Sequence, residues 1–257
     1  MKAPAQRRNR AAAGATRIPA PSSSWAYFFD IDGTLVDIAP SPSEIVLERA
    51  LQACIRELYD ASGGALALIS GRSISDVDTI FGDGSLPVAG QHGLERRSST
   101  GKITRHAMTS EKLDFARARI AEAIATHPEL LLEDKGLTLA LHYRSAPSLA
   151  SFAHRTMRGI LAALGPDFAL QSGKRVVELK PSGKDKGDAV RDFMREEPFS
   201  GRIPVFVGDD VTDEHGFVVV NSMGGHSIKV GGGPSAARWR LANVRAVQSW
   251  LERRDTE

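Results

Sequence analysis

The sequence predicts an α/β protein built on a doubly wound parallel sheet, interrupted by a second unit of α+β character, and three observations predict it. Short, solidly apolar runs recur at 25–29 (WAYFF), 65–69 (ALALI), 86–89 (LPVA), 204–207 (PVFV) and 227–230 (SIKV), as strands covered on both faces read. Between the first two runs, Leu47, Leu51, Cys54, Ile55 and Leu58 fall at helical spacing, with Ser43 at the N-cap position, so strand, helix and strand follow as in a parallel crossover. Between about 103 and 180 the texture changes, with alternating strands set among helical patterns. A doubly wound sheet places its ligands at the carboxyl ends of its strands.

Taken in order, residues 1–23 are rich in Ala, Arg, Pro and Ser without sustained periodicity and read as a flexible leader, with order beginning near Trp25. The net charge is +2, but Lys2, Arg7, Arg8, Arg10 and Arg17 fall in a stretch with no acid before Asp30, so the remainder carries about −3. The basic balance therefore belongs to the leader, which reads as solvated or, alternatively, as a targeting or anion-binding tail. Arg7-Arg8 lacks the apolar segment of a twin-arginine signal. With 6% aromatic residues and no basic stripe across the body, a nucleic-acid surface is not expected. No run approaches the roughly 18 apolar residues of a membrane span. Cys54 is the single cysteine, which excludes an intrachain disulfide and a cysteine zinc site and fits a reducing cytoplasm.

The core is expected over 24–102 and 181–257, and the inserted unit over 103–180. In the insert, helical patterns cover 110–126 and 148–164. Along 137–144, Leu137, Leu139, Leu141 and Tyr143 point one way and Thr138, Ala140, His142 and Arg144 the other. Along 174–180, Lys174, Val176, Glu178 and Lys180 share a face, so one side can pack on helices while the other meets a ligand.

Asp30-Ile31-Asp32-Gly33-Thr34 directly follows the first apolar run. Carboxylates at i and i+2 of an extended segment project to one side, as a nucleophile and its acid/base partner need. Asp30 can attack phosphorus, and Asp32 can serve the leaving oxygen and then the water. A solvated Asp-Gly turn is the ordinary alternative. Gly208-Asp209-Asp210-Val211-Thr212-Asp213-Glu214 follows another such run. Magnesium takes oxygen ligands and keeps several waters; Asp30 and Asp209 supply carboxylates, the Asp32 carbonyl a further ligand, and Asp210, Asp213 and Glu214 surround them. Helix capping is the alternative for this acidic cluster. Ser70-Gly71-Arg72 and Lys186-Gly187 supply the donors and positive charge that a transferring phosphoryl group requires.

This order of strand-end Asp-x-Asp-Gly-Thr, strand-end Ser, Lys and Gly-Asp-Asp resembles the haloacid dehalogenase superfamily over about residues 25–250. The resemblance implies a Rossmann-like core with Asp30 as nucleophile, and an insert acting as a substrate-selecting α/β cap. Gly90-Gln91-His92-Gly93-Leu94-Glu95, His142-Tyr143-Arg144, Lys174, Val177-Glu178-Leu179-Lys180-Pro181 and Asp210-Val211-Thr212-Asp213-Glu214 are similar to trehalose-6-phosphate phosphatases. That likeness implies Mg2+ as cofactor and a small sugar phosphate as substrate. It puts Gly71, Arg72, Gln91, His92 and Gly93 on the core side of the cleft and Arg144, Lys174, Glu178 and Lys180 on the cap side. Lys186 is the phosphate contact it implies, with Lys184 as fallback. Other expectations are another sugar-phosphate phosphatase or phosphomutase, acting on sucrose phosphate or mannosylglycerate phosphate, and, outside enzymes, an inactive binding module. A monomer is expected, with a dimer as the alternative.

Overall fold

The computed structural model describes residues 18–38, 47–106, 110–173 and 175–253. Its main sheet runs through β1 (Trp25–Phe29), β2 (Leu66–Ile69), β3 (Val88–Gly90), β4 (Glu95–Arg97), β5 (Ile103–Arg105), β10 (Ile203–Gly208), β11 (His226–Val230) and β12 (Trp239–Leu241). The spatial order is β12-β11-β10-β1-β2-β3-β4-β5. From β12 to β3 the pairing is parallel, and β4 and β5 add an antiparallel edge.

The apolar runs are explained by burial on both faces. In β1, Trp25, Tyr27 and Phe29 join the cluster that holds α1 (Arg49–Ala61), α2 (Ile74–Phe81) and α7 (Val244–Leu251). Ala26 and Phe28 join the opposite cluster under α5 (Lys186–Phe193) and α6 (Glu214–Ser222). From β1 the chain winds outward through β2 and β3, then returns on the other side through β10 and β11. The winding reverses between β1 and β10, and a crevice forms there at the carboxyl ends.

A second sheet, ordered β6-β7-β9-β8 and antiparallel throughout, holds β6 (Leu131–Asp134), β7 (Leu139–His142), β8 (Phe168–Gly173) and β9 (Val176–Pro181). The helical patterns at 110–126 and 148–164 form α3 (Ser110–Thr126) and α4 (Ala150–Leu164), which bury Leu113, Ile120, Met157 and Ile160 with Leu139, Leu141, Val177 and Leu179.

Several expectations change. The leader is expected to extend to residue 23, but residues 18 and 19 are packed on the body: Ile18 is buried, and the carbonyls of Pro19 and Ile18 accept from Trp250 Nε1 (2.8 Å) and Arg253 Nη1 (3.0 Å). Residues 1–17 lie outside the described residues. So does Ser43; the N-cap of α1 is Glu48, without a side-chain cap. Residues 103–105 belong to the main sheet, because β5 pairs with β4 in register Glu95↔Arg105. The polar face expected on 137–144 is itself covered, Thr138 and Ala140 being buried. Among the described residues, no helix is long and apolar enough to cross a membrane.

Candidate active site

The site begins where β1 ends. Asp30 is almost fully buried, and its N–H donates to the Val207 carbonyl of β10 (3.0 Å), which fixes it beside the acidic segment after that strand. Gly33 turns the chain at φ +83°, and a Cβ there would stand 2.3 Å from Asp209 Oδ2. Any side chain would push Asp209 out of the site. Asp213, fully buried, accepts from the N–H groups of Asp209 (2.9 Å) and Asp210 (2.8 Å) through Oδ2. Its Oδ1 accepts from Lys186 Nζ (2.7 Å), which also donates to Asp30 Oδ1 (2.7 Å). Lys186 opens α5 behind a capping box made by Asp185 and Asp188, so the helix start aims it at Asp30.

Carboxylate oxygens of Asp30, Asp209 and Asp213 lie within 4.8 Å of one another. Burial pushes the Asp30 carboxyl well above the usual range, Asp213 and Asp209 push it further, and Lys186 only partly opposes them. For Lys186, burial disfavours the charge, but Asp213 and Asp30 outweigh it and raise its pKa above the ordinary lysine value. Three carboxylates face one ammonium, a surplus of negative charge in an oxygen-rich cleft that suits a hard divalent cation. Asp30 and Asp209 line the cavity and Asp213 does not, so Asp30 and Asp209 are the carboxylates that would ligate it.

Asp32 is held by Arg72 in a bidentate pair, Nε to Oδ2 at 2.7 Å and Nη2 to Oδ1 at 2.8 Å. A cavity of about 190 Å³ joins these groups to the second sheet: Asp30, Asp32, Gly71, Arg72, His92, Lys186, Asp209 and Asp210 line one wall, and Glu133, Lys135, Arg144, Gln171 and Glu178 the other. Glu178 accepts from Thr138 Oγ1 (2.6 Å), Lys135 Nζ (3.2 Å) and His92 Nε2 (3.1 Å). Burial would raise its pKa, but Lys135 and His92 hold it far below the usual carboxylate range. Burial lowers the His92 pKa against the pull of Glu178. Gly71 is needed beneath that ring, since a Cβ there would lie 2.8 Å from His92 Cε1.

Other expected site residues lie elsewhere. Ser70 is buried, does not line the cavity and accepts the Arg72 N–H at Oγ (3.1 Å). Gln91 is spent bracing the two sheets, donating to the Lys135 carbonyl (2.7 Å). Gly93 packs on the Asp185 carbonyl at the α5 cap. Lys180 is buried off the cavity and donates to the Lys184 carbonyl (3.0 Å), because β9 turns into α5 there. Lys184 pairs with Asp192 (2.8 Å), so Lys186 is the lysine the fold brings to Asp30. Glu214 accepts the Ala236 N–H (2.8 Å) and stands 4.0 Å from Lys229, which donates to the Asp209 carbonyl. Lys174 lies outside the described residues.

Sequence reasoning missed Glu133, Lys135 and Gln171. Glu133 and Lys135 stand two apart in LLEDK, a same-side signal, but the short strand has an exposed Leu131 and no solid apolar run. Gln171 carried no local signal; it arrives by pairing with Glu178 across β8 and β9.

The chain is similar to known proteins along most of its length. Residues 28–245 match the family described as Trehalose-phosphatase. The trehalose-6-phosphate phosphatase of Escherichia coli (strain K12) is 46% identical over 92% of this chain and 89% of its own. A trehalose-phosphate phosphatase of Mycobacterium tuberculosis (strain H37Rv) is 31% identical over 77% of this chain and 52% of its own. Among solved structures, the C-terminal domain of a C. albicans trehalose-6-phosphate phosphatase superposes with a TM-score of 0.80, covering 90% of this chain and 92% of that one at 21% identity, a likeness of fold. A family match across both sheets, joined to a relative nearly half identical along almost the whole chain, makes this protein a member of the trehalose-phosphatase family.

Proposed function

We propose that this chain hydrolyses trehalose 6-phosphate to trehalose and phosphate through an aspartyl phosphate on Asp30. The observation that carries the reading is the cavity: Asp30, Asp32, Lys186 and Asp209 meet on one wall, and a polar wall from the inserted sheet closes over them. One end suits a phosphoryl group, and the other has the charged acceptors and donors that sugar hydroxyls need.

In this reading Asp30 attacks phosphorus and the sugar oxygen leaves with a proton from Asp32. Asp32 then takes a proton from the water that hydrolyses the acyl phosphate. Lys186 holds Asp30 and neutralises the phosphoryl oxygens. Arg72, bonded to Asp32 at both carboxylate oxygens, is drawn to those oxygens when phosphate arrives, which leaves Asp32 able to carry its proton. Ser70, off the cavity, accepts the Arg72 N–H at Oγ (3.1 Å) and so holds the turn that carries Arg72. Asp30 and Asp209, with the Asp32 carbonyl, would hold Mg2+, which when bound would supply charge neutralisation for the phosphoryl group. The single cysteine supports a cytoplasmic setting, and a small sugar phosphate is the partner.

The test is phosphate release with magnesium from trehalose 6-phosphate, sucrose 6-phosphate and glucose 6-phosphate. The expected result is a preference for the first of at least about 10²-fold in kcat/KM, within the roughly 10⁴-fold reach of a site that hydrogen-bonds its substrate. Preference for another ester overturns the substrate reading.

A further inference from the structure

His92 sits between two side chains of the inserted sheet, and proton accounting there fixes the orientation of a third group. Its Nε2 lies 3.1 Å from Glu178 Oε2 and 2.9 Å from the side-chain amide of Gln171. Its Nδ1 is buried with no hydrogen-bond partner among the described residues. Glu178 is an anion, because Lys135 Nζ (3.2 Å) and Thr138 Oγ1 (2.6 Å) both donate to its Oε1, and an anion only accepts. The ring proton therefore belongs on Nε2, directed at Glu178. The opposite tautomer would aim a lone pair at the carboxylate and bury an N–H without an acceptor, which is the costlier choice. A doubly protonated ring gives the same answer at Nε2. An Nε2–H cannot accept from an amide NH2, so the Gln171 group facing His92 is its oxygen; amide oxygen and nitrogen are assigned by such networks. The NH2 then turns the other way, into the cavity that Gln171 lines.

From this juxtaposition we propose that Gln171 is a specificity-determining residue: His92 orients its carboxamide so that the NH2 donates to an oxygen of the bound sugar. The inference rests on the sugar-phosphate reading of the cavity. It gives that wall a neutral donor beside acceptors that Glu133 and Glu178 already provide. Lys135, the neighbouring cation, is drawn off by the Gly71 carbonyl (3.1 Å) and Glu178.

Two measurements test it. Long-range 1H–15N correlation on the ligand-free protein, with His92 assigned by comparison with His92→Asn, should show a protonated Nε2; an unprotonated Nε2 overturns the orientation. In kinetics, Gln171→Glu keeps an oxygen for His92 but loses the NH2, and Gln171→Leu loses both. Each should raise KM for trehalose 6-phosphate by roughly 3- to 10-fold, the worth of one hydrogen bond, with a smaller change for an aryl phosphate that has no sugar. Equal changes on the two esters, or none on the sugar ester, overturn the proposal. If the wild type prefers a different sugar phosphate, the substrate reading fails, while the histidine spectrum and the same variant comparison on that ester still decide the role of Gln171.

Discussion

Replacing Asp30 by asparagine separates chemistry from stability at one position. Asparagine fills nearly the same space but does not attack phosphorus, so turnover should fall by roughly 10⁴-fold or more, as when one member of a cooperating catalytic group is removed. Stability should move the other way. Carboxylates of Asp209 and Asp213 come within 4.8 Å of Asp30; at an effective dielectric of 20 each costs it about 3.5 kcal/mol. Lys186 at 2.7 Å returns about 6 kcal/mol on the same scale. These terms nearly cancel, and the burial penalty of the charge is left over. Because the folded carboxyl is pushed up, its stabilisation is present at acid pH and lost as pH rises through the carboxylate range and beyond; asparagine has no such loss. Near neutral pH the metal-free variant should be more stable by about 0.5–2 kcal/mol, the usual gain from relaxing a strained functional site, or about 1–8 °C in Tm for a chain of this size. Calorimetry without metal and phosphate release with it, on the same preparations, measure both. Magnesium at about 100 times its Kd should add about 2.7 kcal/mol to the wild type and less to the variant. Turnover within 10-fold of the wild type would refute the nucleophile, and a variant less stable than the wild type without metal would refute the charge argument.

Lys186→Met leaves buried carboxylates without their ammonium and should destabilise the metal-free protein by about 3–5 kcal/mol in denaturant unfolding; an unchanged midpoint would contradict the geometry. Glu178→Ala should lower kcat/KM for trehalose 6-phosphate by about 10²-fold and affect a small aryl phosphate far less, whereas equal losses would remove Glu178 from sugar recognition. Glu178 ionises more readily folded than unfolded, so its stabilisation is present above about pH 4.5, its ordinary value, and is lost as pH falls below that. Urea unfolding from pH 6 to pH 3 should therefore lose less stability in Glu178→Gln than in the wild type, and parallel curves would sink this account.

The elements legible in the sequence were those that a local pattern specifies. β1 and β10 are buried on both faces, so they appear as unbroken apolar runs, and α3 and α4 bury one stripe each. Asp30, Asp32 and Asp209 were legible because short segments at the ends of apolar strands concentrate acids that solvent or capping alone explains poorly. β4, β5 and β6 were not, because these short strands read ERR, ITR and LLED, and without a solid apolar run or a clear alternation they carry no strand signal.

By itself the sequence determined that a parallel sheet would carry two acidic strand ends and one lysine at a helix start. Only the tertiary structure decided which polar groups face one another. It turned Lys180, Gln91 and Gly93 into braces between elements and placed Glu133, Lys135 and Gln171 on the cavity wall. The physical reason is that alternation along a strand gives a side chain's face but not what covers that face. Here the answer depends on how a four-stranded sheet lies over the carboxyl ends of another, where burial and unpaired charge select the partners.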